Sequence, residues 1–110
     1  MAKKAETKLV EQCLAVVREM GGDAYHVHGS ATQRKGEPDI AGWIPKNGGF
    51  VHFHIEAKLP GEEPDPIQQE RLDDYAKGGY TVGVCHTVLE FIEIIRRGRV
   101  LKSWLIDSRI

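Results

Sequence analysis

The nine residues from Phe50 to Lys58, FVHFHIEAK, constrain the fold more than any other stretch of the chain. Phe50, Val51, Phe53, Ile55 and Ala57 are apolar, which reads as a buried strand. A strand sends successive side chains to opposite faces, so Val51, Phe53, Ile55 and Ala57 share one face. Phe50, His52, His54, Glu56 and Lys58 share the other. The strand therefore ends by placing a carboxylate and an ammonium on one face, roughly 7 Å apart by the strand rise. Taken alone, Glu-x-Lys is a common pattern whose ordinary role is an ion pair on a partly solvated face.

Its neighbour changes that reading. DIAGWI, beginning at Asp39, is a second strand, and PKNGG is a turn joining it to FVHFHIEAK. The two strands form an expected antiparallel hairpin. With the turn centred near residue 47 or 48, Asp39 and Glu56 are about equally far from it and come to lie side by side. Two carboxylates meeting at one strand end repel each other unless a cation lies between them. A hard divalent ion such as Mg²⁺ suits that position. A lysine two residues on could orient or deprotonate a water, or stabilise developing negative charge on a phosphorus centre.

The remaining elements follow from periodicity and capping. Leu9, Val10, Cys13, Leu14, Val17 and Met20 form an apolar stripe, predicting a helix from about Glu6 to Met20 that Gly21 and Gly22 end. Glu6 falls on that stripe, where a carboxylate is costly unless satisfied. It could equally favour the helix dipole at a fraying start. Glu11 is turned away and faces solvent. DAYHVHG is a short strand, Ala24 to His28, followed by the polar loop SATQRKGEPD, whose exit Pro38 marks. After the loop LPGEEPDP, Asp65 is an N-cap, with Pro66 at the first helical position and Gln68 at the third. There Gln68 could simply complete a capping box. This helix runs to about Lys77, before Gly78 and Gly79. YTVGVCH is a strand, Thr87 and Glu90 make a capping box for the helix VLEFIEIIRR, and VLKSWLI is a last strand. The order α-β-β-β-α-β-α-β predicts a sheet with helices packed on it, α/β or α+β, in one domain spanning residues 1–110.

Composition excludes several classes. Apolar content of 41% and charged content of 28% suit a soluble globular protein. No apolar run is long enough to cross a membrane, and the lysines of MAKKAETKLV precede no secretory apolar segment. Cys13 and Cys85 lie among apolar residues, as buried reduced thiols in an intracellular protein. The net charge of −1 argues against a uniformly basic nucleic-acid binder. Basic residues nevertheless cluster at Lys3, Lys4 and Lys8, at Arg34 and Lys35, and at Arg96, Arg97, Arg99 and Lys102. Such patches could touch phosphates or simply solubilise the surface. His52 and His54 suggest zinc, but no cysteine or third histidine accompanies them at a usual spacing.

The ordered set GEPDI, IEAK and DPIQQERLDDYAKGGYTVGV resembles the pattern of PD-(D/E)xK nucleases, and within them the VRR-NUC branch. Gln68 stands four residues before Leu72 and eleven before Gly79, as that branch requires; Gln69 does not match. Each motif is weak alone, but together and in order they are specific, and they span Glu6 to about Ile95. The resemblance implies a restriction-endonuclease-like core: a central mixed sheet flanked by helices. It implies that Glu6, Asp39 and Glu56, with the Ala57 carbonyl, bind Mg²⁺ or Mn²⁺. Lys58 would position the attacking water and Gln68 would support the site. Gln33, Arg34 and Lys35, in the loop before Asp39, are candidate phosphate contacts. Compact members of this branch are associated with phages and bacteria, act as homodimers and resemble Holliday-junction resolvases.

The leading expectation is a cytoplasmic, metal-dependent, structure-selective DNA endonuclease that acts as a homodimer on four-way junctions. A two-fold dimer presents two active sites to two symmetric strands. The alternatives are a non-catalytic DNA-binding or assembly module on the same fold, and a restriction-type or flap nuclease. A chain of 110 residues leaves little room for a recognition domain, which favours reading DNA shape over bases. VLKSWLIDSRI lies beyond the matched region and could be a dimerising edge strand or a packed tail.

Overall fold

The hairpin at the centre of the molecule is closed by two residues. In the computed structural model, which describes residues 2–27 and 34–102, β2 (Ile40–Lys46) and β3 (Gly49–Ala57) run antiparallel. Asn47 and Gly48 between them have φ of 49° and 79°. Positive φ at both central positions is the tight hairpin turn whose twist matches the strands, and Asn-Gly is its preferred pair. The turn is thus shorter than PKNGG: Pro45 and Lys46 pair with Phe50 and Gly49. Pro45 is tolerated inside β2 because β1 (Asp23–His26) pairs only with Ile40–Trp43, so β2 is locally an edge there. Pairing of Ile40 with Ile55 puts Asp39 and Glu56 at the next step.

The sheet order is β1-β2-β3-β4, with β4 (Thr81–Cys85) parallel to β3 and the other pairs antiparallel. It is therefore a mixed sheet. A parallel neighbour needs a crossover, and α2 (Pro66–Lys77) supplies it. Asp65 and Gln68 make a complete capping box: the Gln68 N–H donates to Asp65 Oδ1 at 2.9 Å and the Asp65 N–H donates to Gln68 Oε1 at 3.0 Å. α3 (Val88–Arg96) has Thr87 as its N-cap. Its box is shifted by one residue, because the Glu90 carboxylate accepts from the His86 N–H at 2.7 Å.

α1 (Ala2–Glu19) starts a turn earlier than the apolar stripe predicts. Ala2, Lys3, Lys4 and Ala5 are good helix formers but carry no periodic signal. It ends through Gly21, whose φ of 88° suits a left-handed cap. β1 covers Asp23–His26 rather than Ala24–His28; Val27 instead donates its N–H to the Asp39 carbonyl at 2.7 Å, and His28 lies outside the described residues. Of the expected last strand, the described part makes one bridge, Leu101 with Phe50. Ser103 to Ile106 lie outside the described residues.

Three layers result. α1 and α3 cover the face that carries Val51, Phe53, Ile55 and Ala57, and α2 lies on the other. Leu9, Val10, Cys13 and Val17 of α1 and Phe91 and Ile95 of α3 fill the core, with Phe53 and Phe91 edge to face at 5.6 Å. Cys13 and Cys85 are buried free thiols, and their mutual hydrogen bond and burial push the Cys85 pKa far up. No helix among the described residues is long and apolar enough to cross a membrane. Phe53→Ala is expected to cost about 3–5 kcal/mol, a large part of the roughly 5–15 kcal/mol that holds a domain together. Urea unfolding followed by circular dichroism measures this.

Candidate active site

The inner end of β3 holds a charge that folding has taken out of water. Glu56 is only 2% exposed, and it is the one buried charged side chain among the described residues. Its Oε1 is buried with no hydrogen-bond partner. Its Oε2 lies 3.6 Å from Lys58 Nζ. Burial first, and then the charge of Asp39, push the Glu56 pKa up to about 8, while Lys58 pulls only partly the other way. The Asp39 carboxyl is also near enough to accept a proton held by Glu56, which favours the protonated form. This is the balance expected of two carboxylates crowded at one place without a cation.

The hairpin and its neighbours position each group. The Ala57 N–H donates to Asp39 Oδ2 at 2.9 Å, tying the acid at the start of β2 to the end of β3. The Lys58 N–H donates to the Cys85 carbonyl at 3.0 Å, so the lysine leaves the strand anchored to the end of β4. Its side chain is 18% exposed. Glu6, on α1, is half-buried; burial and the Asp39 charge raise its pKa and Lys58 opposes them. Glu11 is exposed.

Glu6, Asp39, Glu56 and Lys58 therefore act on one another electrostatically at one end of the sheet. Among the described residues, no three His, Cys, Asp or Glu side chains stand close enough to cage an ion by themselves. An ion such as Mg²⁺, usually held by one or two carboxylates with waters or substrate oxygens completing its shell, needs no such cage. The orphaned Glu56 Oε1 and the adjoining Asp39 are the donors that fit such an ion.

The other expected residues are placed differently. Gln68 uses its Oε1 in the cap of α2, and its Nε2 donates to no group among the described residues. Arg34 is exposed and bound to Glu37 at 2.7 Å and to Asp74 at 3.6 Å. Lys35 is exposed, and its carbonyl accepts from Arg71 Nε at 3.2 Å. Gln33 lies outside the described residues. His54 stacks on Tyr75 with centroids 3.7 Å apart, and burial pushes its pKa down to about 4, so it is neutral. His52 packs edge-on to Tyr80 at 6.4 Å.

Sequence reasoning missed the polar cluster around Tyr75. Its hydroxyl donates to Glu37 Oε1 at 2.6 Å, and Arg34 and Arg71 gather around the same acid. The available signal was helical spacing, since Gln68, Leu72 and Tyr75 fall on one face of α2.

Titration tests this electrostatic picture. Glu56 is raised from 4.5 to about 8, so its contribution to stability is fully present below pH 4.5 and is lost as pH rises through about 8. His54, lowered from 6.5 to about 4, acts in the opposite sense below pH 6.5. His86, raised by the Glu62 carbonyl and Glu90, slopes with Glu56. The difference between wild type and Glu56→Gln therefore isolates the carboxyl. In metal-free protein the variant is expected to gain on wild type by on the order of 1 kcal/mol per pH unit across that window. Mn²⁺ is expected to flatten the wild-type slope. Urea unfolding at a series of pH values measures both.

No known family's sequence profile matches the chain, and no curated protein does. Among solved structures it is similar to one described as a VRR_NUC domain, with a TM-score of 0.68 and 22% identity. The match covers 84% of this chain and 95% of that one. The chain therefore shares the fold of that domain, a mixed sheet flanked by helices that forms a restriction-endonuclease-like core.

Proposed function

We propose that the chain is a divalent-metal-dependent DNA endonuclease of the VRR-NUC type, hydrolysing phosphodiester bonds in branched DNA. Four-way junctions are its foremost substrate, cut by a homodimer in a bacterial or phage-infected cytoplasm. The observation that carries this reading is the buried Glu56 carboxyl beside Asp39, whose Oε1 has no partner and whose Oε2 lies 3.6 Å from Lys58. Asp39, Glu56 and the Ala57 carbonyl would hold Mg²⁺ or Mn²⁺, and Glu6, half-buried on α1, adds a third acid to their electrostatic surroundings. When bound, the cation supplies neutralisation of the phosphate and acidification of a water.

The chain's own groups do the rest. The Lys58 ammonium, leashed through its backbone to β4, orients the water that attacks in line and offsets the negative charge that develops on the phosphorus oxygens. Gln68, fixed at the first turn of α2, offers its Nε2 to the site or to the phosphate. Arg34 and Lys35, with Gln33 beside them, contact the DNA backbone. Arg34 keeps its 2.7 Å pair with Glu37, and a phosphate would replace only the looser, exposed pair with Asp74 at 3.6 Å. A two-fold homodimer would present two such sites to the two symmetric strands of a junction.

The test is cleavage of four-way junction, flap and linear duplex by wild type and Lys58→Ala, with Mg²⁺, Mn²⁺ or EDTA. Wild type is expected to cut branched DNA in either metal and nothing in EDTA, and Lys58→Ala to be about 10²–10⁴-fold slower. Absence of cutting by wild type in both metals would refute the nuclease. Equal cutting of linear duplex and junction would remove the junction preference alone.

A further inference from the structure

Two residues before Glu56, on the same face of β3, lies a second site that the proposed hydrolysis does not use. Tyr25 pairs in register with Ala41, and Ala41 with His54, so the three form one row across β1, β2 and β3. The middle member is an alanine. Two rings therefore flank a low floor, their backbones roughly 9.5 Å apart by two interstrand spacings. Tyr25 is 63% exposed. The cleft over this floor has a volume of about 230 Å³, and Val27, Arg34, Glu37 and Tyr75 also line it.

The wall is held in place from behind. His54 lies flat on Tyr75 at 3.7 Å, the Tyr75 hydroxyl donates to Glu37 at 2.6 Å, and Arg34 donates to the other Glu37 oxygen at 2.7 Å. The Arg34 guanidinium is 5.8 Å from the Tyr75 ring centre. Such a site offers aromatic surfaces to a planar ring and charged donors and acceptors to its edge. Its volume is below the roughly 300–1,000 Å³ of pockets for drug-sized molecules, and suits a single heterocycle.

The location supplies the identity of that heterocycle. His54 precedes Glu56 by two residues on one face, roughly 7 Å along the strand. Glu37 precedes Asp39 by two residues, in the segment that leads into β2. A nucleotide whose phosphate meets Asp39 and Glu56 has its neighbouring base within reach of the cleft. A base inside a continuous duplex is stacked and cannot enter, whereas an unpaired base can stack on exposed aromatic side chains.

We propose that this cleft receives the nucleobase next to the scissile phosphate, which is unpaired in a flap and can unstack at the branch point of a four-way junction, so that the protein selects branched DNA by capturing a base that an intact duplex withholds. The proposal rests on the nuclease reading for the position of the phosphate.

The experiment is photocrosslinking to branched DNA carrying 5-iododeoxyuridine as an unpaired nucleotide at the branch, bound in Ca²⁺. Binding constants for branched and linear DNA, and cleavage in Mg²⁺, are measured on the same proteins. The wild-type crosslink is expected to map to Tyr25, Tyr75 or His54. Tyr25→Ala, a change at an exposed position, is expected to lose most of the crosslink and to weaken branched-DNA binding on the order of tenfold more than linear binding. Tyr25→Trp is expected to restore both. A crosslink mapping elsewhere, or Tyr25→Ala binding branched DNA like wild type, overturns the cleft while cleavage in Mg²⁺ leaves the nuclease standing. A crosslink at Tyr25 in a protein that cuts nothing supports the cleft as a base-binding site and removes the nuclease. Failure of wild type to bind any DNA overturns both.

Discussion

Glu56 is the one charged side chain that folding withdraws from water among the described residues, and its Oε1 finds no partner there. Removing an ionised carboxylate from water costs several kcal/mol even after relaxation, and the nearby Asp39 adds to that cost. Without a cation the carboxyl escapes that cost by holding a proton, which is why its pKa is pushed up to about 8; a divalent cation would compensate the ionised form instead. The surrounding architecture serves this arrangement. The two-residue turn sets the register that brings Asp39 to Glu56, the Ala57 N–H fixes the Asp39 carboxylate, and β4 fixes the start of the Lys58 side chain.

The two faces of β3 divide the work. One face carries Val51, Phe53, Ile55 and Ala57 into the core under α1 and α3, which makes the strand rigid. The other carries His52 and His54 into an aromatic group with Tyr75 and Tyr80, which fastens α2 to the sheet. Glu56 lies where these two environments end. The histidines, which invite a metal reading in the sequence, are packing residues, and His54 is kept neutral by burial.

Much of this was legible before any coordinates. The hairpin register was readable from a turn centred near residue 47 or 48; the structure narrows PKNGG to Asn47 and Gly48, a pair that admits few turn geometries, and a slip of one residue would turn the apolar face of β3 outward. The capping residues of α2 and α3 marked their starts, and the resemblance of GEPDI and IEAK pointed to the fold found. What escaped was set by tertiary contact. The first turn of α1 has no apolar period to betray it. Glu90 caps through His86 because His86 also reaches the Glu62 carbonyl, a contact across a loop. Arg34 reads as a free cation in sequence but is held by Glu37 and Asp74, whose approach depends on how α2 docks. The row of Tyr25, Ala41 and His54 joins three strands and is invisible until their registers are known.

The central claim is that the carboxylate pair at the end of the hairpin exists to hold a divalent cation. Anomalous scattering from crystals grown with Mn²⁺ addresses it most directly. The account expects a manganese peak between the Asp39 and Glu56 carboxylates, bonded to the Glu56 oxygen that otherwise has no partner, and its loss in Glu56→Gln. Manganese bound elsewhere, with no peak between Asp39 and Glu56, would contradict it.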